Sequence, residues 1–102
     1  MKKLDKIDHI AIQVDDINES LNWYLKNFKC EKIYSDETWA FIKFHNTKLA
    51  LVTNTEHPPH FAILDINLNI EDNKVVKHRD GSYSKYAKDL DGNFLEYIKY
   101  KK

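Results

Sequence analysis

His9, His60 and Glu96 stand at positions where a strand pattern turns them inward. Two imidazoles and one carboxylate are the donor set of a facial triad, which suits Fe(II), Mn(II) or another divalent ion and leaves positions open for water and substrate. Each histidine alone is more often a half-exposed or hydrogen-bonded residue than a ligand. Their placement is what singles them out. His9-Ile10-Ala11-Ile12 matches His60-Phe61-Ala62-Ile63, and Leu49-Ala50-Leu51-Val52 matches Leu95-Glu96-Tyr97-Ile98, with comparable spacing since 50−9 is 41 and 96−60 is 36. An internal repeat of this kind relates two halves by a pseudo-twofold axis and aims both imidazoles at one centre. Along the last strand Phe94, Glu96 and Ile98 share a side, so the carboxylate points inward among apolar neighbours. An unpaired carboxylate is costly to bury, and a bound cation offsets that cost. His45, His57 and His78 lie in turns or loops outside the repeat and read as surface residues. Cys30 has no His or Asp beside it in sequence and reads as a small core residue rather than a nucleophile.

The elements that must position these residues are legible in the pattern. Residues Ile7 to Val14 alternate, with Ile10, Ile12 and Val14 on one face and His9, Ala11 and Gln13 on the other, as in a strand between two environments. Asp16, with Glu19 three residues on, opens a helix in which Ile17, Leu21, Tyr24, Leu25 and Phe28 recur at helical spacing. Strands are expected at Cys30 to Ser35, Thr38 to Phe44 and Lys48 to Thr53, giving a first βαβββ half. Asn54 to Pro59 is polar, ends in two prolines and marks a module boundary. In the second half, Asp91-Gly92 between Tyr83–Lys88 and Asn93–Tyr100 signals a hairpin with a type I′ turn. The second helix, over Asn67 to Lys74, has room for about two turns at most.

Composition bounds the rest. A chain of 102 residues fits one domain, with half-repeats at about 7–53 and 60–100. No apolar run approaches the roughly 20 residues that span a bilayer, so no membrane role is expected. Asp5, Asp8, Asp15 and Asp16 interrupt any signal-peptide core, and the single cysteine suits a reducing compartment; cytoplasmic residence is expected. Sixteen basic residues balance sixteen acidic ones, which gives no reason to invoke nucleic acid as partner.

Four stretches carry a family resemblance: Asp8-His9-Ile10-Ala11-Ile12 with Ser20-Leu21-Asn22-Trp23-Tyr24 behind it, Lys48-Leu49-Ala50-Leu51, His60-Phe61-Ala62-Ile63, and Asp89-Leu90-Asp91-Gly92-Asn93-Phe94-Leu95-Glu96. Together, from about Ile7 to Tyr100, they resemble the vicinal oxygen chelate superfamily of glyoxalases, bleomycin-resistance proteins, extradiol dioxygenases and fosfomycin-resistance thiol transferases. Leu90 stands where the family's turn usually has Pro, and Lys29 where its helix usually ends in Gly. The resemblance implies an α+β fold of paired βαβββ modules, forming a curved mixed sheet around a central cleft, here with the second helix shortened. Its four ligand positions fall on His9, Ala50, His60 and Glu96. Ala50 cannot ligate, which argues against glyoxalase I isomerase chemistry and toward three-ligand branches of the dioxygenase or thiol-transferase type. Ala11, where the thiol transferases carry Thr, leaves fosfomycin chemistry unsupported.

The expectation is thus a glyoxalase-like enzyme that chelates a small oxygen-bearing substrate on a divalent ion (Mn, Fe, Zn, Ni or Co) held by His9, His60 and Glu96. By the same resemblance Tyr86 is a substrate-contacting or catalytic residue, with a core-filling aromatic as the other reading, and Trp39, Phe41 or Phe94 supply apolar walls. A homodimer is expected, since so short a chain has a truncated second helix and each curved sheet must cover its apolar edge against another module. The alternative is a metal-free protein that binds and sequesters a small molecule, as bleomycin-resistance members do.

Overall fold

A computed structural model describes residues 3–54 and 58–100. Its elements are β1 (Ile7–Gln13), α1 (Ile17–Asn27), β2 (Glu31–Ser35), β3 (Trp39–Lys43), β4 (Lys48–Val52), β5 (His60–Leu64), β6 (Val76–Lys77), β7 (Tyr83–Lys88) and β8 (Phe94–Lys99). The architecture is α+β, with strands pairing both parallel and antiparallel. Two compact units divide the chain, one within residues 9–60 and one combining 3–8 with 61–100.

In the unit 9–60 the hydrogen-bonded order is β2-β3-β4-β1. Strand β1 runs parallel to β4 with Ala11 opposite Ala50, and β3 is antiparallel to both β2 and β4. The period-2 alternation of β1 has two apolar destinations. Ile12 and Val14 pack beneath α1 on a buried cluster of Ile17, Leu21, Ala40, Ile42 and Leu51, while Ala11 joins Phe41 and Ala50 on the other face. Burying each Leu or Ile of the first cluster contributes about 1.5–3 kcal/mol. Asp16 caps the helix as its pattern requires, its Oδ1 accepting the Glu19 amide at 3.0 Å. At the other end the chain departs from the expected glycine-like stop. Phe28 is extended (φ −134°), its amide bonds the Tyr24 carbonyl, and no described non-glycine residue, Lys29 included, has positive φ.

In the other unit the order is β5-β8-β7-β6, and the Leu64 amide donates to the Lys6 carbonyl just ahead of β1. Strand β8 pairs in parallel with β5 and antiparallel with β7. Two three-residue hairpin loops have the same form. Gly92 (φ 90°) donates to the Asp89 carbonyl between β7 and β8, and Gly81 (φ 89°) donates to the His78 carbonyl between β6 and β7. Since only the glycine of Asp91-Gly92 has positive φ, the expected type I′ turn is replaced by a longer loop closed through its left-handed glycine. Asp89 organises that loop by accepting from the Asp91 and Asn93 amides and from Asn93 Nδ2, which holds its carboxyl below the usual carboxylate range.

The expected short second helix is not formed. Residues 66–74 are turns, and the reason lies in their side chains: Asp65 accepts the Asn67 amide, Asn69 the Glu71 amide and Asp72 the Lys74 amide. These local bonds offer the backbone an alternative to a helical ladder. Asp72 also takes the Lys85 ammonium at 3.1 Å, tying the turns to β7. Among the described residues α1 is the one helix, and no helix is long and apolar enough to cross a membrane.

Candidate functional site

Within residues 9–60, β1 turns His9 to the face it shares with Ala11, and the residue is only 4% exposed. Its ring stands edge-on to Phe41 (centroids 4.9 Å apart) and to His60 (5.9 Å). The aromatic run continues from Phe41 to Trp39 (5.4 Å) and from Trp39 to Tyr34 (4.6 Å), with Lys48 Nζ 5.0 Å from the Phe41 centroid. The structure therefore brings the two repeat-related histidines together beside an aromatic wall. Ala50, 3% exposed, lies opposite Ala11 and offers no donor atom.

His60 opens β5 and is 8% exposed. Its Nδ1 is 2.8 Å from the Pro58 carbonyl. A carbonyl only accepts, so that bond places the ring proton on Nδ1 and makes Nε2 the unprotonated nitrogen. This is the tautomer a metal ligand needs, with its second nitrogen anchored by the backbone. Pro58 has no amide of its own to compete in the turn.

In the other unit Glu96 sits on β8, 3% exposed, with Ala62 of β5 and Tyr86 of β7 directly opposite. Tyr86 therefore shares the Glu96 face of the sheet and is half-buried. Phe94, two residues before Glu96, is 37% exposed and lies beneath Lys88 Nζ at 5.0 Å. Of the apolar walls expected, Phe41 is thus beside His9, whereas Phe94 is open to solvent.

His78 departs from its expected surface placement. The β6–β7 hairpin tucks the ring in until its side chain is 20% exposed, with Nε2 3.6 Å from Glu96 Oε2 and 2.5 Å from Ser84 Oγ. Tyr86 lies edge-on to the same ring at 6.4 Å between centroids. His78 and the fully buried Ser84 were not singled out from the sequence. A usable signal was present: Asp80-Gly81 has the same hairpin chemistry as Asp91-Gly92 and would have placed His78 across from the Ser82–Ser84 segment. His45 is exposed, as expected, and His57 lies outside the described residues.

Tyr100 closes the unit from its far end, donating its hydroxyl proton to Asp8, the neighbour of His9. Burial and that carboxylate push the phenol well above the ordinary tyrosine range.

Solved structures share this fold. A hypothetical protein from Bacillus halodurans is 20% identical with a TM-score of 0.76, covering 98% of this chain and 97% of its own. Methylmalonyl-CoA epimerase from Streptomyces coelicolor, in complex with 2-nitronate-propionyl-CoA, is 15% identical with a TM-score of 0.79, covering 98% and 100%. The epimerase from Mycobacterium tuberculosis is 12% identical with a TM-score of 0.77, covering 94% and 88%. No curated protein matches the chain. Residues 6–76, which hold the first half-repeat and the opening of the second, match the model of the Glyoxalase/Bleomycin resistance protein/Dioxygenase superfamily. That match spans more than half of the chain, and the chain belongs to this superfamily.

Proposed function

We propose that the chain is a divalent-metal enzyme of the three-ligand type, with His9, His60 and Glu96 holding the ion, acting on a small oxygen-bearing substrate. The observation that carries this reading is the buried donor set: two imidazoles and a carboxylate at 4%, 8% and 3% exposure, a group that could hold a metal ion. Register supports it as well. His9 and His60 are already neighbours, and His60 lies two residues ahead of Ala62, the β5 partner of Glu96, and therefore on the same strand face as Ala62. The His60 tautomer fits ligation, and Ala50 adds no fourth donor to the set.

A divalent ion bound there supplies Lewis acidity, polarising substrate oxygens and holding them in place. The chain's own residues do the rest. The Tyr86 hydroxyl, on the Glu96 face, donates or accepts a proton at the substrate. Phe41 and Trp39 wall the His9 side and exclude water there, which strengthens polar interactions inside. We assign the whole chain to one catalytic domain in a reducing, cytoplasmic setting, with a second copy as partner and no role for nucleic acid or membrane.

Metal analysis of untagged protein purified without chelator, followed by calorimetry of Mn(II) binding to chelator-treated protein at pH 7.5, tests the reading. Near-stoichiometric binding is expected, weakened at least tenfold by His60→Ala or Glu96→Gln and unchanged by His45→Ala. A folded protein that binds no divalent ion overturns it. The second reading, a metal-free sequestering protein, then takes its place, favoured by the aromatic run Tyr34, Trp39 and Phe41.

A further inference from the structure

The structure assigns His78 a role that no ligand pattern specifies: it is the positioning residue that fixes the Glu96 carboxylate, and Ser84 fixes His78. The assignment rests on the metal reading for its consequence and on the structure of residues 61–100 for its geometry. Nε2 of His78 lies between Ser84 Oγ at 2.5 Å and Glu96 Oε2 at 3.6 Å. With the proton on Nε2, the ring donates its hydrogen bond to Ser84 Oγ, and the same N–H edge faces Oε2 from the protein side at electrostatic rather than hydrogen-bond distance. The other carboxylate oxygen is then the one aimed away from His78.

The hairpin is built to hold that ring. His78 donates its amide to the Ser82 carbonyl and accepts at its own carbonyl from Gly81, whose φ of 89° closes the loop. Asp80 Oδ1 accepts from both the amide and the hydroxyl of Ser82 at 2.9 and 2.7 Å, so the turn is locked by its own side chains. Val76 pairs with Ser84, which puts His78 and Ser84 on a cross-strand diagonal that an imidazole spans. Ser84 has 0% exposure and Ser82 3%, so water has little access to the anchor. Two buried hydroxyl residues on one strand side are unusual core choices unless they bond something fixed. Direct ligation by His78 is the poorer account, because its Nε2 is already committed to Ser84 Oγ at 2.5 Å. A residue that orients a ligand from behind commonly contributes 10–100-fold to metal affinity.

Two measurements on the full chain test the assignment. The first needs no metal: in chelator-treated protein the ring ¹⁵N resonances of His78 should report an Nε2–H tautomer, and Glu96→Gln should shift them. An Nδ1–H tautomer, or resonances indifferent to Glu96→Gln, overturns the contact. The second is Mn(II) calorimetry, where His78→Ala is expected to lower affinity 10–100-fold while the thermal midpoint of the metal-free protein stays near wild type. His78→Gln, which keeps a donor, should recover part of the affinity, and Ser84→Ala should lower it without adding to the loss in a His78→Ala background. Unchanged affinity in His78→Ala overturns the positioning role. So does a midpoint that collapses in both His78 variants, which would make the residue structural only. If wild type binds no ion while the ¹⁵N result holds, the metal reading fails and the His78–Glu96 contact stands on its own.

Discussion

Tyr86 and Glu96 face each other across the β7–β8 ladder, and that single register decides how a tyrosine on this strand reads. A phenol that only fills space is replaced by phenylalanine at little cost to chemistry. One that moves a proton is not. Tyr86→Phe is expected to leave Mn(II) affinity within about twofold, since the hydroxyl is not a ligand, and to lower any turnover by about 10²–10⁴, the usual contribution of a general acid or base. Calorimetry alongside an activity screen on small oxygen-bearing substrates checks it. Unchanged turnover in Tyr86→Phe would return the residue to the core-filling role. The burial of His9, His60 and Glu96 was legible from strand alternation together with the internal repeat, because period 2 fixes which side chains share a face. The His78–Ser84 pairing was not, because it depends on the loop that closes the β6–β7 hairpin rather than on any periodicity.

At the level of elements, long periodic segments were readable and short ones were not. Strands β1, β2, β3, β4, β5, β7 and β8 and helix α1 follow from alternation, turn signals or 3.6-residue spacing, with ends displaced by a residue or two where capping and turn bonds decide. Strand β6 has two residues, too few to show a period. The second helix failed because Asp65, Asn69 and Asp72 bond their own following amides. The end of β8 leads into a different kind of tether, the hydroxyl of Tyr100 on Asp8. Burial and the Asp8 carboxylate raise the folded-state pKa of this phenol, so its contribution is fully present below the unfolded tyrosine value near 10 and is lost as pH rises beyond it. Urea midpoints measured from pH 8 to 11 should therefore fall at the alkaline end in wild type, and less steeply in Tyr100→Phe. Equal alkaline slopes in the two proteins would show that the phenol carries no such linkage.

For the whole molecule, the two units differ in what covers their sheets. Within 9–60, α1 lies on the Ile12 and Leu51 face. Within 61–100, Phe61 pairs with Leu95 and Ile63 with Tyr97 on the face opposite Glu96, and among the described residues no helix of that unit covers them. Tyr97 is 37% exposed in consequence. A second copy of the chain is the proposed cover, and sedimentation at micromolar concentration should show twice 12.1 kDa. A species of 12.1 kDa alone would remove the dimer, and Tyr97→Lys should produce that species if this face is the contact. The strand order β5-β8-β7-β6 also ranks the strands by ease of opening. Strand β8 is bonded on both sides, whereas β6 meets β7 through two residue pairs and ends the sheet. Edges open sooner than central strands. The hairpin carrying His78 is therefore expected to open at a lower free-energy cost than the strand carrying Glu96, so the proposed latch can release while the carboxylate stays where the ladder put it.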